Sequence, residues 1–269
     1  MSTVIPITEL LPVKSRFSLE GRKALVTGAA GGIGRSVSST LAELGADVAL
    51  VDIKKEAAQQ NAEYIADKFR VKTIALGCDV SDESQVNGMI AAAIREFGHV
   101  DAVHSNAGIL VSGDNGDMPL ADWKRMVDVN LTGMFLINQK AAQHMRDTGR
   151  GGAIVNTASM SAHIINRNPN RHMVAYTTTK GGVLHLTKAF AMDFCKYNVR
   201  VNSISPGYMY SGIHDNIPQE RLDAVAQQVP MGRFGTMNEI GGIVAFLLSD
   251  HAGYITGADI LVDGGHCVW

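Results

Sequence analysis

The sequence predicts an α/β fold built on one parallel sheet of about seven strands, flanked by helices on both faces. Three observations carry this expectation. Short β-branched or apolar runs alternate with longer helical stretches along the chain; the runs are apolar nearly throughout; and no repeat, low-complexity segment or linker interrupts them. Such alternation implies parallel strands joined by right-handed crossovers. A strand covered on both faces reads as a continuous apolar run.

The strands are expected at Lys23–Thr27, Asp47–Val51, Lys72–Leu76, Val100–His104, Gly152–Asn156, Arg200–Ser203 and Asp259–Val262. The helices between them are expected at Ile33–Leu44, Glu56–Phe69, Glu83–Phe97, Asp122–Met145, Val174–Tyr197 and Asn238–Leu248. Residues 1–20 read as a peripheral arm and residues 21–269 as one catalytic domain. Apolar residues at 46% and charged residues at 19% supply ample core material. The net charge of −2 comes with no basic block, so no nucleic-acid partner is expected. No apolar run approaches a membrane span. Three widely spaced cysteines, Cys78, Cys195 and Cys267, fit neither a disulfide framework nor a zinc site. With no secretory pattern at the N-terminus, a reducing, cytoplasmic setting is expected.

The first strand runs into Thr27–Gly34, TGAAGGIG, and then into a helix. Gly28, Gly32 and Gly34 suit a sharp strand-to-helix turn, where a diphosphate approaches the backbone and the positive helix end. Ile33 sits inside this turn. The context marks a dinucleotide-binding, Rossmann-type doubly wound sheet. Asp52 closes the second strand, 24 residues after Gly28, where such folds place the acid that binds the adenosine ribose. A carboxylate there repels a 2′-phosphate, which favours NAD over NADP; Arg35, Lys54 and Lys55 nearby argue the other way.

Further along come Cys78–Val80 (CDV), Asn106–Gly108 (NAG), Val129–Gly133 (VNLTG), Ser159, Tyr176–Lys180 (YTTTK), Pro206–Gly207 and a closing Asp263–Gly265 (DGG). Taken together, from about Gly21 to Gly265, the chain resembles the short-chain dehydrogenases/reductases. The resemblance implies that Asp79 meets the adenine amino group, with Val80 beside the ring. It implies that Asn106 ties the central strand to its neighbour, with Ala107 and Gly108 near the adenosine ribose. Pro206 and Gly207 would wall the nicotinamide. The family's usual threonine after that pair is missing, and Ser211 stands near its place.

Oxidising an alcohol needs a base for the hydroxyl proton as hydride leaves. Tyr176 is the candidate. Bringing a tyrosine down by about 3 pH units takes roughly 4 kcal/mol of differential stabilisation. Lys180 lies one helical turn on, where a cation favours the phenolate; in the family it also binds the nicotinamide ribose. Ser159 ends the fifth strand, at the sheet edge where ligands bind. Asn130 resembles the family's fourth catalytic member, expected to distort a helix and hold a water leading to Lys180. A second Tyr-x-x-x-Lys, Tyr64 and Lys68, reads as an exposed helix face.

Ser161, His163, Asn166, Arg167 and Tyr208 are the candidate substrate contacts. The segment between Ser159 and Tyr176 is rich in polar side chains, and reads either as recognition of a polar, polyhydroxylated substrate or as surface. A metal held by His163 and His172 is the least favoured reading, and no metal is expected. Segments such as SMSAHIIN and the C-terminal DGGHCVW resemble the polyol and sugar branch of the family. The expected activity is therefore NAD-dependent interconversion of a secondary alcohol and a ketone. The alternatives are an NADPH-dependent 3-oxoacyl-type carbonyl reductase and a non-catalytic nucleotide sensor. The region 212–235 is expected to close over the substrate as a lid. The resemblance also implies a homotetramer, in keeping with apolar residues on more than one face of the helices around Leu131–Met145 and Val174–Phe194.

Overall fold

The computed structural model describes residues 13–111, 113–114, 116–165, 173–211 and 218–268. Seven parallel strands form one sheet: β1 (Lys23–Thr27), β2 (Asp47–Asp52), β3 (Thr73–Gly77), β4 (Ala102–Ser105), β5 (Gly152–Thr157), β6 (Val199–Pro206) and β9 (Asp259–Val262). Their order is β3-β2-β1-β4-β5-β6-β9. The chain winds outward one way from β1 and the other way from β4. The order therefore reverses between those two strands, and the crevice beyond their carboxyl ends is where such sheets bind ligands.

Strand alternation explains the two-sided core. In β1, Ala24 and Val26 enter one apolar cluster while Leu25 enters the other; in β2, Val48 and Leu50 oppose Ala49 and Val51. Helices α2 (Gly32–Glu43), α3 (Lys55–Phe69) and α9 (Met237–Leu248) cover the first face with Val37, Leu41, Ile65, Ile240 and Val244. Helices α4 (Glu83–Phe97), α6 (Gly133–Asp147) and α7 (Met173–Phe194) cover the second with Val86, Ile90, Ile137, Met145 and Ala191. Burying such side chains contributes roughly 1.5–3 kcal/mol each.

Two of the expected helices differ from the sequence reading. The helix expected over Asp122–Met145 is three pieces: α5 (Leu120–Val127), a π-helical turn at Asp128–Thr132, and α6. The widening falls where the buried Asn130 side chain bonds outside its own helix. The last helix before β6 ends at Phe194 and tightens into a 3₁₀ turn, closed by Asn198 in the left-handed region. The region read as a lid holds α8 (Gln219–Ala226) and a short parallel pair, β7 (Met209–Tyr210) with β8 (Gly235–Thr236). Residues 212–217 of it lie outside the described residues.

The arm is not wholly peripheral. Leu19 is fully buried in the first core cluster. Helix α1 (Val13–Phe17) docks through the Phe17 ring, 4.0 Å from that of His251, and through Arg16 donating to the Asp250 carbonyl.

Candidate active site

The glycine loop follows directly from β1. Gly28 and Gly32 have φ of +68° and +49°, backbone that side chains disfavour. A Cβ on Gly34 would strike the Gly28 carbonyl, so α2 can start this close to β1 only with glycine there. Outside Gly31 and Gly32 the space is open, bordered by Ser211, whose Cβ lies 3.9 Å from where a Gly32 Cβ would be. Helix α2 starts with no side-chain cap and no acidic residue in its first turn. Its first amides and positive dipole end are left for an anion in that space. The residues present fit a nicotinamide dinucleotide.

Asp52 closes β2 beside this loop. Its carboxylate accepts from the Ala30 amide at 2.9 Å and from the Lys54 amide at 2.9 Å, which fixes the charge in place. Arg35, Lys54 and Lys55 are exposed. Asn61, absent from the sequence reading, donates to the carbonyls of Ala29 and Ala30 and braces the loop from α3. Asp79 accepts from Ser81, and Val80 packs where a Gly133 Cβ would collide with it.

Asn106 ties the end of β4 to both neighbours. Its side chain donates to the Thr27 carbonyl at 3.0 Å and accepts from Thr157 Oγ1 at 3.2 Å. Thr27 Oγ1 in turn accepts from the amides of Asn106 and Ala107. Below it, fully buried His104 lies 2.9 Å from Thr157 Oγ1 through Nε2. The threonine proton goes to Asn106, so Nε2 carries the hydrogen on this imidazole.

Burial pushes the His104 pKa down to about 3. The folded state thus resists a proton that the unfolded chain takes up at about 6.5. Stability from this group is complete above pH 6.5 and falls as the pH drops toward 3. Between pH 6.5 and 4 the expected loss is roughly 3 kcal/mol. His104→Gln keeps a donor and does not titrate. Thermal melts at pH 7 and pH 4 should show a smaller drop for this variant than for the wild type; equal drops would refute the assignment.

The catalytic candidates converge at the carboxyl ends of β4 and β5. Lys180, buried on α7, donates to the Thr157 carbonyl at 2.7 Å, and its Nζ stands 5.7 Å from the Tyr176 ring centre. Burial lowers its pKa to about 8. Asn130 accepts from the Ile109 amide at 2.7 Å and donates to the Ile109 carbonyl at 2.9 Å and Thr179 Oγ1 at 3.3 Å. A Cβ on Gly108 would lie 3.2 Å from Asn130 Oδ1 and 3.5 Å from Lys180 Nζ, so the loop after β4 meets the Asn130 and Lys180 side chains here. Ser159 Oγ accepts from the Ser161 amide at 3.1 Å, and α7 packs against the Met160–Ala162 turn that follows. That amide takes one lone pair and leaves the serine proton for another acceptor. Tyr64 is exposed with Lys68 over its ring, far from this cluster in the fold.

Pro206 ends β6, and a Cβ on Gly207 would strike the Asp263 backbone. Tyr208 is half-buried against Phe234 and His266, and burial raises its pKa. Ser161 is buried in the turn after Ser159. His163, read as a substrate contact, has protein partners: its Nε2 is 2.8 Å from Asp259 and 3.3 Å from Ser205. Asp259 and Ser205 share one face of the paired strands β6 and β9. Asn166 and Arg167 lie outside the described residues, as does His172. Among the described residues no group of three or more His, Cys, Asp or Glu is arranged to hold a metal ion.

A doubly wound sheet with a glycine loop after its first strand and a tyrosine–lysine pair on the helix beside the end of β5 defines a class of nicotinamide-dependent oxidoreductases that act on CH–OH groups. The chain belongs to that class, the short-chain dehydrogenase/reductase family: the model described as "Enoyl-(Acyl carrier protein) reductase" matches residues 28–266. It is similar to the NADP-dependent mannitol dehydrogenase of Alternaria alternata, at 36% identity over 98% of this chain and 99% of that one. It is similar to the D-threitol dehydrogenase of Mycolicibacterium smegmatis, at 37% identity over 96% and 97%. Among solved structures, a short-chain type dehydrogenase/reductase from Mycobacterium marinum superposes with a TM-score of 0.89, at 41% identity over 95% of this chain and 99% of that one.

Proposed function

We propose that this protein oxidises a secondary hydroxyl of a polyol or sugar to the ketone, and runs the reverse, with NAD as its cofactor. The observation that carries the reading is the convergence of Ser159, Tyr176, Lys180 and Asn130 beside an open glycine loop. The oxidised nicotinamide, when bound, accepts the hydride. Ser159 holds the substrate oxygen with the proton left over from its bond to the Ser161 amide. Tyr176 takes the hydroxyl proton. Lys180, fixed by the Thr157 carbonyl, favours the phenolate by its charge. Asn130 shapes the π-helical turn beside Lys180 and, as part of this reading, seats a water that passes the proton outward.

The substrate class is supported by the names of the similar mannitol and threitol dehydrogenases. Asp52 supports NAD, because its carboxylate is pinned where a 2′-phosphate would arrive and like charges held together cost several kcal/mol. The similar mannitol dehydrogenase is named as NADP-dependent, so the choice rests on Asp52. Asp52→Asn is expected to raise the kcat/KM ratio of NADP to NAD on the order of 100-fold. An unchanged ratio would pass the selection to Lys54 or Arg35.

Homotetramer formation belongs to the same proposal. Phe135, Val174 and Met192 remain exposed on α6 and α7, and light scattering on the purified protein measures the assembly. Activity is tested by absorbance at 340 nm, with NAD and NADP each offered polyols, sugars and simple alcohols. Turnover of polyols with NAD supports the reading. Turnover restricted to NADPH and acyl ketones would replace it with a 3-oxoacyl-type reductase.

A further inference from the structure

The turn that presents Ser159 and Ser161 is bonded to the far edge of the sheet. Within the turn, Ala162 donates to the Ser159 carbonyl and His163 to the Met160 carbonyl, so Met160–Ala162 moves as one piece with His163 at its end. The His163 side chain then reaches 96 residues along the chain to Asp259, Nε2 to Oδ2 at 2.8 Å. A carboxylate accepts only, so Nε2 donates.

Asp259 is itself held. Ser203 donates to its Oδ1 at 2.6 Å and Ser205 to its Oδ2 at 2.8 Å, both from β6. Its side chain is largely buried. A carboxylate gripped by two hydroxyls of the neighbouring strand is a rigid anchor, and charge-assisted hydrogen bonds are the stronger kind. The same turn is touched from the other side by the C-terminal segment, where the Cys267 thiol lies 3.9 Å from the Met160 carbonyl.

We infer that His163 is a positioning residue for the substrate: by clamping the Met160–Ala162 turn to Asp259 it sets where Ser159 and Ser161 stand, and so sets affinity for the alcohol. The inference rests on the reading of Ser159 as the substrate-oxygen ligand. It differs from direct recognition, because His163 is engaged by protein groups and acts through the turn. A serine displaced by even a fraction of a hydrogen-bond length holds the substrate oxygen poorly, whereas the glycine loop after β1 is untouched.

The test is steady-state kinetics of His163→Leu and His163→Gln with the alcohol that the wild type oxidises best. His163→Leu is expected to raise the KM for the alcohol about 10-fold, with the KM for NAD within twofold of the wild type. His163→Gln, which restores a donor at similar reach, is expected to recover most of that loss. An alcohol KM that His163→Leu leaves unmoved, or moves together with the NAD KM, overturns the clamp. Failure of the underlying reading looks different: Ser159→Ala would then leave the alcohol kinetics intact. Amide hydrogen exchange gives a second measure, since the Ser161 amide, bonded to Ser159 Oγ, should exchange faster in His163→Leu and return in His163→Gln. Unchanged exchange at that amide also counts against the clamp.

Discussion

Lys180→Met is expected to lower turnover about 10³-fold and to raise the melting temperature. The two effects come from one fact, the burial of an ammonium group whose pKa is lowered to about 8. The unfolded chain carries the lysine near 10.4. The folded state therefore disfavours the charge, and below pH 8 it bears the full cost, about 3 kcal/mol. Methionine of similar length removes that cost and gives up the bond to the Thr157 carbonyl, worth about 2 kcal/mol for a charged donor. A net gain of about 1 kcal/mol corresponds to a rise of roughly 2–4 °C. The advantage should shrink as the pH rises from 8 toward 10, where the wild-type lysine loses its proton. Without the cation beside Tyr176, turnover should fall by about 10³-fold. Calorimetry at pH 7 and pH 10 checks the stability half. A variant that melts several degrees lower at pH 7 would mean that Lys180 is a structural tie and not a destabilising charge held for chemistry.

Tyr176→Phe is expected to lower kcat by about 10³–10⁴-fold while leaving NAD binding within a few fold. The ring remains next to Lys180, so the packing of α7 is kept, and only the hydroxyl is removed. A protein that merely senses the nucleotide would bind NAD and be indifferent to this change. Fluorescence titration with NAD, set beside steady-state rates, separates the two. Turnover surviving in Tyr176→Phe would remove the tyrosine from the chemistry.

The sheet is legible in the sequence because β1 and β2 send apolar side chains to both faces, and the crossover helices begin and end within a few residues of their signals. The glycine loop is equally legible, since Gly28 and Gly32 take backbone that side chains disfavour and Gly34 has no room for a Cβ. Other features depend on contacts between distant segments and leave no local trace. The π-helical turn at Asp128–Thr132 forms around Asn130, whose partner is the Ile109 backbone. Thr157 and His104 matter through the Lys180 anchor and the Asn106 bond, which only the packing of β4 on β5 reveals. His163 stands in a polar segment that reads either as substrate recognition or as surface, and its engagement with Asp259 becomes visible only with the pairing of β6 and β9. Leu19 looks like part of an arm by position but reaches the core by folding back on the turn after α2, where its amide bonds the Leu44 carbonyl.

The pH dependence of kcat/KM for alcohol oxidation tests the central claim most directly, because it reports the ionisation of the essential base in the free enzyme. With Tyr176 as base and Lys180 beside it, the rate should rise with pH along a single limb centred between about 6 and 8, well below the ordinary tyrosine value of about 10. Lys180→Arg, which keeps a cation but not its fit to the Thr157 carbonyl, should move that limb to higher pH. A limb that stays near 10, or one that Lys180→Arg leaves in place, would contradict the tyrosine–lysine mechanism.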